Sequence, residues 1–131
     1  MSLDPKNPGR IDDLAYFLID RDRNIKEGSE LIDSILNLYA DNYNYLYTKG
    51  LGLYKQRKSE EAVVLLKKSW DLRLEKGIYN HSAYLQLEAA KNAIEGKTWD
   101  EFVRYGGLLA MLAILFALAC RLCIIELFLS K

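Results

Sequence analysis

Few residues in this chain have the types and spacing to do chemistry. His81 is the single histidine, in the stretch Tyr79-Asn80-His81-Ser82, and no cysteine or acid cluster stands at ligand spacing from it. Structural zinc sites use four protein ligands and catalytic ones three, so His81 reads as a solvated turn residue. Cys120 and Cys123 spell C-x-x-C. A redox reading of that motif needs a βαβ context and a zinc reading needs a second ligand pair. The sequence supplies neither, so both cysteines read as small apolar positions on an apolar helix. Asn80-His81-Ser82 has the form of a glycosylation sequon. The opening MSLDPKNPGRIDD has no apolar signal-peptide core, so no secretory leader is expected and the sequon reads as coincidence. Gly50 and Gly52 lie inside a helical pattern and make no phosphate-binding loop. The carboxylate pairs Asp12-Asp13 and Glu60-Glu61 read as helix-start residues that complement the macrodipole. The expectation is a protein with no catalytic, cofactor or metal site.

The elements that carry these residues read as helices. Apolar residues recur at helical spacing at Ile11, Leu14, Ala15, Leu18 and Ile19, and again at Ile25, Gly28, Leu31, Ile32 and Ile35. Further runs follow at Leu46, Gly50, Leu53 and Tyr54, at Ala62, Leu65, Leu66, Ser69 and Trp70, and from Tyr84 to Ile94. Polar stretches at 21–24, 39–44, 55–59, 75–80 and 95–98 separate them. Both prolines, Pro5 and Pro8, fall in the first ten residues, and no alternating β-branched stretch demands a strand. The expected fold is all-α, built of antiparallel helix pairs. Lysine and arginine (18) balance aspartate and glutamate (18), and no basic stripe is present. Nucleic acid is therefore not an expected partner.

The second helix pair lies over the first at a step of 34 residues, which places Ala62 on Gly28, Leu66 on Ile32 and Ser69 on Ile35. A helix-turn-helix repeat of that period is the tetratricopeptide signature. The stretch YLYTKGLGLYKQRKSEEAVVLLKKSW resembles that family. Gly50 falls on its small position in the first helix, and Ala62 on the small position where the two helices cross. Leu66 and Ser69 fall on its large and small packing positions. Leu46 stands where the family prefers tryptophan, Arg57 where it often has glycine, Tyr16 at the small position of the first copy, and Ala40 in the slot of the inter-repeat proline. A degenerate third copy is expected from near Tyr79, with GKTWDEF as its turn and second-helix start and Thr98 and Glu101 as a capping box. The organisation expected is a lead-in over 1–10, about two and a half repeats over 11–97, and an apolar helix over 98–131.

The resemblance implies a scaffold for protein or peptide partners, with the first helix of each repeat lining a concave groove. Position by position, it assigns Asp13, Phe17, Asp20 and Arg21 from the first copy to that groove. From the second it assigns Asn44, Tyr47, Leu51, Tyr54 and Lys55. The family's clamp for a chaperone's C-terminal carboxylate uses lysine and asparagines where this chain has Tyr47, Thr48 and Leu51, so that ligand is not expected. The tyrosines have two readings, groove lining and packing between repeats.

From Gly106 to Leu129 only Arg121 and Glu126 carry charge. As a helix rising about 1.5 Å per residue this stretch reaches roughly 36 Å, against about 30 Å of bilayer hydrocarbon. It shows no polar face, so it reads as a membrane span. The alternative is a helix buried within the fold or an oligomer, in a soluble self-associating module. The small residues Gly106, Ala110, Ala113, Ala117 and Cys120 recur at a 3.5-residue period. That seam suits a parallel homodimer of tails in lipid. His81→Ala should leave thermal stability and partner binding within experimental error, and loss of an activity on that change alone would overturn the non-enzyme reading.

Overall fold

The computed structural model describes residues 6–130, the side chains of residues 98 and 105 excepted. The described residues form α1 (Pro8–Asp20), α2 (Ile25–Leu36), α3 (Tyr43–Lys55), α4 (Ser59–Glu75), α5 (His81–Glu101) and α6 (Leu108–Leu129). A π-helical turn covers Phe102–Gly107, and there is no strand among the described residues. The fold is all-α. It divides into two compact units, Met1–Ile94 and Glu95–Lys131.

Asparagine starts four of these helices. The Oδ1 of Asn7 accepts from the Gly9 amide at 2.9 Å, that of Asn24 from Glu27 at 3.1 Å, that of Asn42 from Asn44 at 2.9 Å, and that of Asn80 from Ala83 at 2.9 Å. Each satisfies an amide that the helix cannot pair internally. Pro8 at the first turn of α1 starts the helix inside the expected lead-in. Residues 1–5 of that lead-in lie outside the described residues. Asp12 and Asp13 consequently stand in the second turn of α1 and not at its start, whereas Glu60 and Glu61 do occupy the first turn of α4.

Helices α1, α3 and α4 end alike. The amide of Arg23 donates to Leu18 O, that of Lys58 to Leu53 O and that of Ile78 to Arg73 O. The residue just before each of these donors has positive φ: Asp22 at 52°, Arg57 at 62° and Gly77 at 68°. This is the Schellman ending, whose left-handed residue favours glycine. Arg57 therefore occupies its position under strain.

Connections over 21–24 and 56–58 turn the chain back, so α1 packs on α2 and α3 on α4. Small residues set both approaches. A Cβ on Gly28 would stand 2.7 Å from Ile19 Cγ1 and 2.9 Å from the Ala15 carbonyl oxygen. One on Gly50 would stand 2.7 Å from Leu66 Cγ. Gly28, Ile32, Gly50, Ala62, Leu66 and Ser69 are all buried, and Ser69 Oγ donates to Tyr43 O at 2.6 Å. Ile19, Leu53 and Leu87, one per 34-residue step, are buried in turn. Leu87 and Ala90 bring the first half of α5 onto the Leu53, Ala62 and Leu66 cluster.

The expected turn over 95–98 does not form. Helix α5 continues to Glu101, so position 98 falls within a helix and not at the start of one, and no separate second helix of a third pair begins there. Gly96 is the most helix-weakening residue in the stretch, and a lone glycine costs only about 1 kcal/mol within a helix. In the second unit, Trp99 and Phe102 stack at 5.6 Å. The π turn contains Gly106, and its i→i+5 winding takes that residue off the α-helical register. Ala110, Ala113, Ala117 and Cys120 share one side of α6, all exposed. Helix α6 buries none of its residues.

Ala62→Leu should destabilise the first unit by about 1–3 kcal/mol by over-packing a fully buried crossing. Gly28→Ala should act in the same sense, despite a helix-propensity gain of about 1 kcal/mol. Arg57→Gly should stabilise by about 0.5–1 kcal/mol through relief of the left-handed strain. Denaturant melts that rank the three otherwise would contradict the crossing geometry.

Candidate functional site

One polar concavity of about 390 Å³ lies where α1, α3, the end of α4 and the start of α5 come together. Helix α1 contributes Asp12, Asp13 and Tyr16. Helix α3 contributes Asn44, Tyr47 and Thr48, and α4 contributes Arg73. Asn80, Ser82 and Ala83 close it from the start of α5.

Arg73 anchors its wall. It is 6% exposed, its Nη2 donates to Asn44 Oδ1 at 2.9 Å, and its guanidinium lies 4.6 Å from the Tyr43 ring centroid and 5.9 Å from that of Tyr47. Its Nε is buried without an acceptor. Burial pushes the guanidinium below its ordinary pKa, and the neighbouring tyrosines and Asp12 oppose that shift. Arginine nevertheless stays charged in proteins.

Thr48, buried in α3, donates its hydroxyl to Asp12 Oδ1 at 2.6 Å. Burial pushes the Asp12 carboxyl above its ordinary range, and the neighbouring Asp13 adds to the shift. The Thr48 hydrogen bond and the charge of Arg73 oppose it without cancelling it. Tyr16 and Tyr47 stack with centroids 6.3 Å apart. Burial raises both phenols, and Asp20 raises Tyr16 further. Both rings are therefore neutral near pH 7.

The groove positions expected from the sequence divide. Asp13, Asn44 and Tyr47 line the cavity. Phe17 is exposed on α1 but does not line it. Leu51 is 3% exposed and belongs to the core, which corrects its assignment to the groove. Its helix is the central one of the stack, in contact with α1, α2 and α4, which leaves α3 little free surface. Tyr54 packs against the Leu53, Ala62 and Leu66 cluster. Lys55 Nζ donates to the Asp20 carbonyl at 2.8 Å and to the Asp22 carboxylate at 2.9 Å. It is a strap between the ends of α3 and α1. Arg21 is the C-cap of α1, 3.6 Å from Asp20.

Sequence reading missed Asp12, Tyr16, Thr48, Arg73, Asn80 and Ser82 as lining residues. Thr48 carried a local signal, a hydroxyl in a run of buried positions. Arg73 stands four residues after the buried Ser69, on the same side of α4. Asn80 is the cap of α5, so the sequon asparagine is already committed to a backbone amide. His81 is exposed, 3.3 Å from the Tyr79 hydroxyl through Nδ1.

A second, more apolar groove of about 850 Å³ lies over α2, α3 and α4, with Ile25, Leu53, Val64 and Leu65 in its walls. Among the described residues no group of three His, Cys, Asp or Glu is placed to hold a metal ion. No protein-family model matches the chain, and no curated protein or solved structure is significantly similar to it.

Asp12→Asn should raise the melting temperature near pH 7. A carboxyl whose folded pKa is raised favours the folded state at low pH, and that contribution is lost as pH rises through the folded value. The advantage of the variant should therefore shrink as pH falls toward the ordinary value of 3.8. Paired melts across that range check this, and an Asp12→Asn midpoint below the parent at pH 7 would contradict it.

Proposed function

We propose that the chain is a small membrane-anchored scaffold of tetratricopeptide type, which holds a segment of a protein partner against α1, α3 and the start of α5. The observation that carries this reading is the cavity around Arg73, placed on the first helices of successive pairs. Those helices are where the family resemblance puts the groove. The chemistry is recognition, and the reading assigns no catalytic residue and no cofactor.

Anchoring rests on α6. Its 22 residues reach about 33 Å, enough for a hydrocarbon core of about 30 Å. Its leucine, isoleucine and phenylalanine residues each favour insertion by roughly 0.3–0.6 kcal/mol, and their sum outweighs a cost of roughly 2.5–3.5 kcal/mol for Arg121. Trp99 and Phe102, exposed just before the span, suit the membrane–water interface. Lys97 and Arg104 on that same side favour a cytoplasmic position for the first unit. Where copies meet in the bilayer, the small-residue side of α6 from Ala110 to Cys120 is the surface of closest approach. The rival reading is a soluble, self-associating module whose α6 is covered by another copy.

Carbonate extraction separates the two. The full chain should remain with the membranes and a chain ending at residue 104 should be released. Release of the full chain would favour the self-associating module.

A further inference from the structure

The cavity holds a charge pattern that packing alone does not call for. Among the described residues, neither Asp12 nor Asp13 has a cationic group at ion-pair distance. The arginine in the same wall does not neutralise them. Its Nη2 is bound to Asn44 and its charge faces two tyrosine rings. Its buried Nε lacks an acceptor. A buried polar group without a partner is costly, and so is a partly buried carboxylate without a cation. Beside the carboxylates stand the stacked rings of Tyr16 and Tyr47.

An occupant that answers all of these features has a cationic head, an aliphatic stem and a carbonyl oxygen. The stem covers the aromatic faces and the head sits by the acids, as long basic side chains do. An anion would meet two carboxylates, and an apolar side chain would desolvate Asp12 further without pairing it. A free polyamine would satisfy the acids but would bring no acceptor to Arg73.

We propose that this cavity is the subsite for an arginine or lysine side chain of an extended partner peptide. Its cationic head lies against Asp12 and Asp13, its methylene stem lies on Tyr16 and Tyr47, and a peptide carbonyl faces the Arg73–Asn44 edge. The inference rests on the peptide-groove reading and adds the ligand class.

A random octapeptide library panned against the full chain in detergent micelles tests it. The expected result is a family of binders that share one arginine or lysine position. Replacing that residue by alanine should weaken binding about tenfold or more, as for other close charge pairs. Asp12→Asn with Asp13→Asn should remove the preference for a basic residue while leaving the helical circular dichroism intact. Binders with no basic position, or binders indifferent to the double substitution, would overturn this inference and leave the peptide groove standing. Enrichment of no peptide at all would overturn both.

Discussion

The constraint on which the first unit depends is the closeness of its two helix crossings. With no Cβ on Gly28, Ile19 and the Ala15 carbonyl can occupy the space beside α2, and with none on Gly50, Leu66 can lie against α3. Protein interiors are packed densely enough that a single added methyl is felt. These two approaches fix α1 on α2 and α3 on α4. Once the pairs are fixed, Ile19, Leu53 and Leu87 fall into equivalent buried positions. The polar cavity is a consequence: α1, α3 and α5 come together with Asp12, Thr48 and Ser82 near one another.

That cavity is expensive for a domain of this size. Arg73 is almost wholly buried, with an orphaned Nε, and Asp12 is partly desolvated beside a second acid, Asp13. Hydrogen bonds from Thr48 and to Asn44 recover part of the cost. Well-packed apolar residues in the same places would often be as stable or more so. Stability given up at one cluster, in a fold whose other elements agree locally and globally, is the pattern of a functional site. The caps and Schellman endings show that agreement elsewhere, with Asp22 and Arg57, at positive φ, as the other local exceptions.

The helices were legible because their signals are local. Apolar spacing at 3.6 residues, polar turns, and Ala62 on Gly28 at a step of 34 give both helix pairs. The asparagine caps at 7, 24, 42 and 80, which set the boundaries, are local signals too but were not read as caps. What was not legible depends on neighbours distant in sequence. Leu51 occupies a groove position by the family register but is buried, because the other helices of the unit cover α3. Asp12 looks like a dipole-complementing residue until the start of α1 at Pro8 is known. Its meaning comes from Thr48, 36 residues away, and from Arg73 on α4. The absent turn at 95–98 has a different cause: no residue there forbids a helix, and a single glycine is too weak to stop one.

The most direct measurement is amide chemical-shift mapping of the full chain in micelles, titrated with a glycine–serine peptide that carries one arginine. The account predicts saturable shifts at Asp12, Asp13, Tyr16, Asn44, Tyr47 and Ser82, absent when the arginine is replaced by glutamate. Shifts gathered instead at Lys26, Glu30 and Val64, in the groove over α2, α3 and α4, would contradict it, as would no shifts at all.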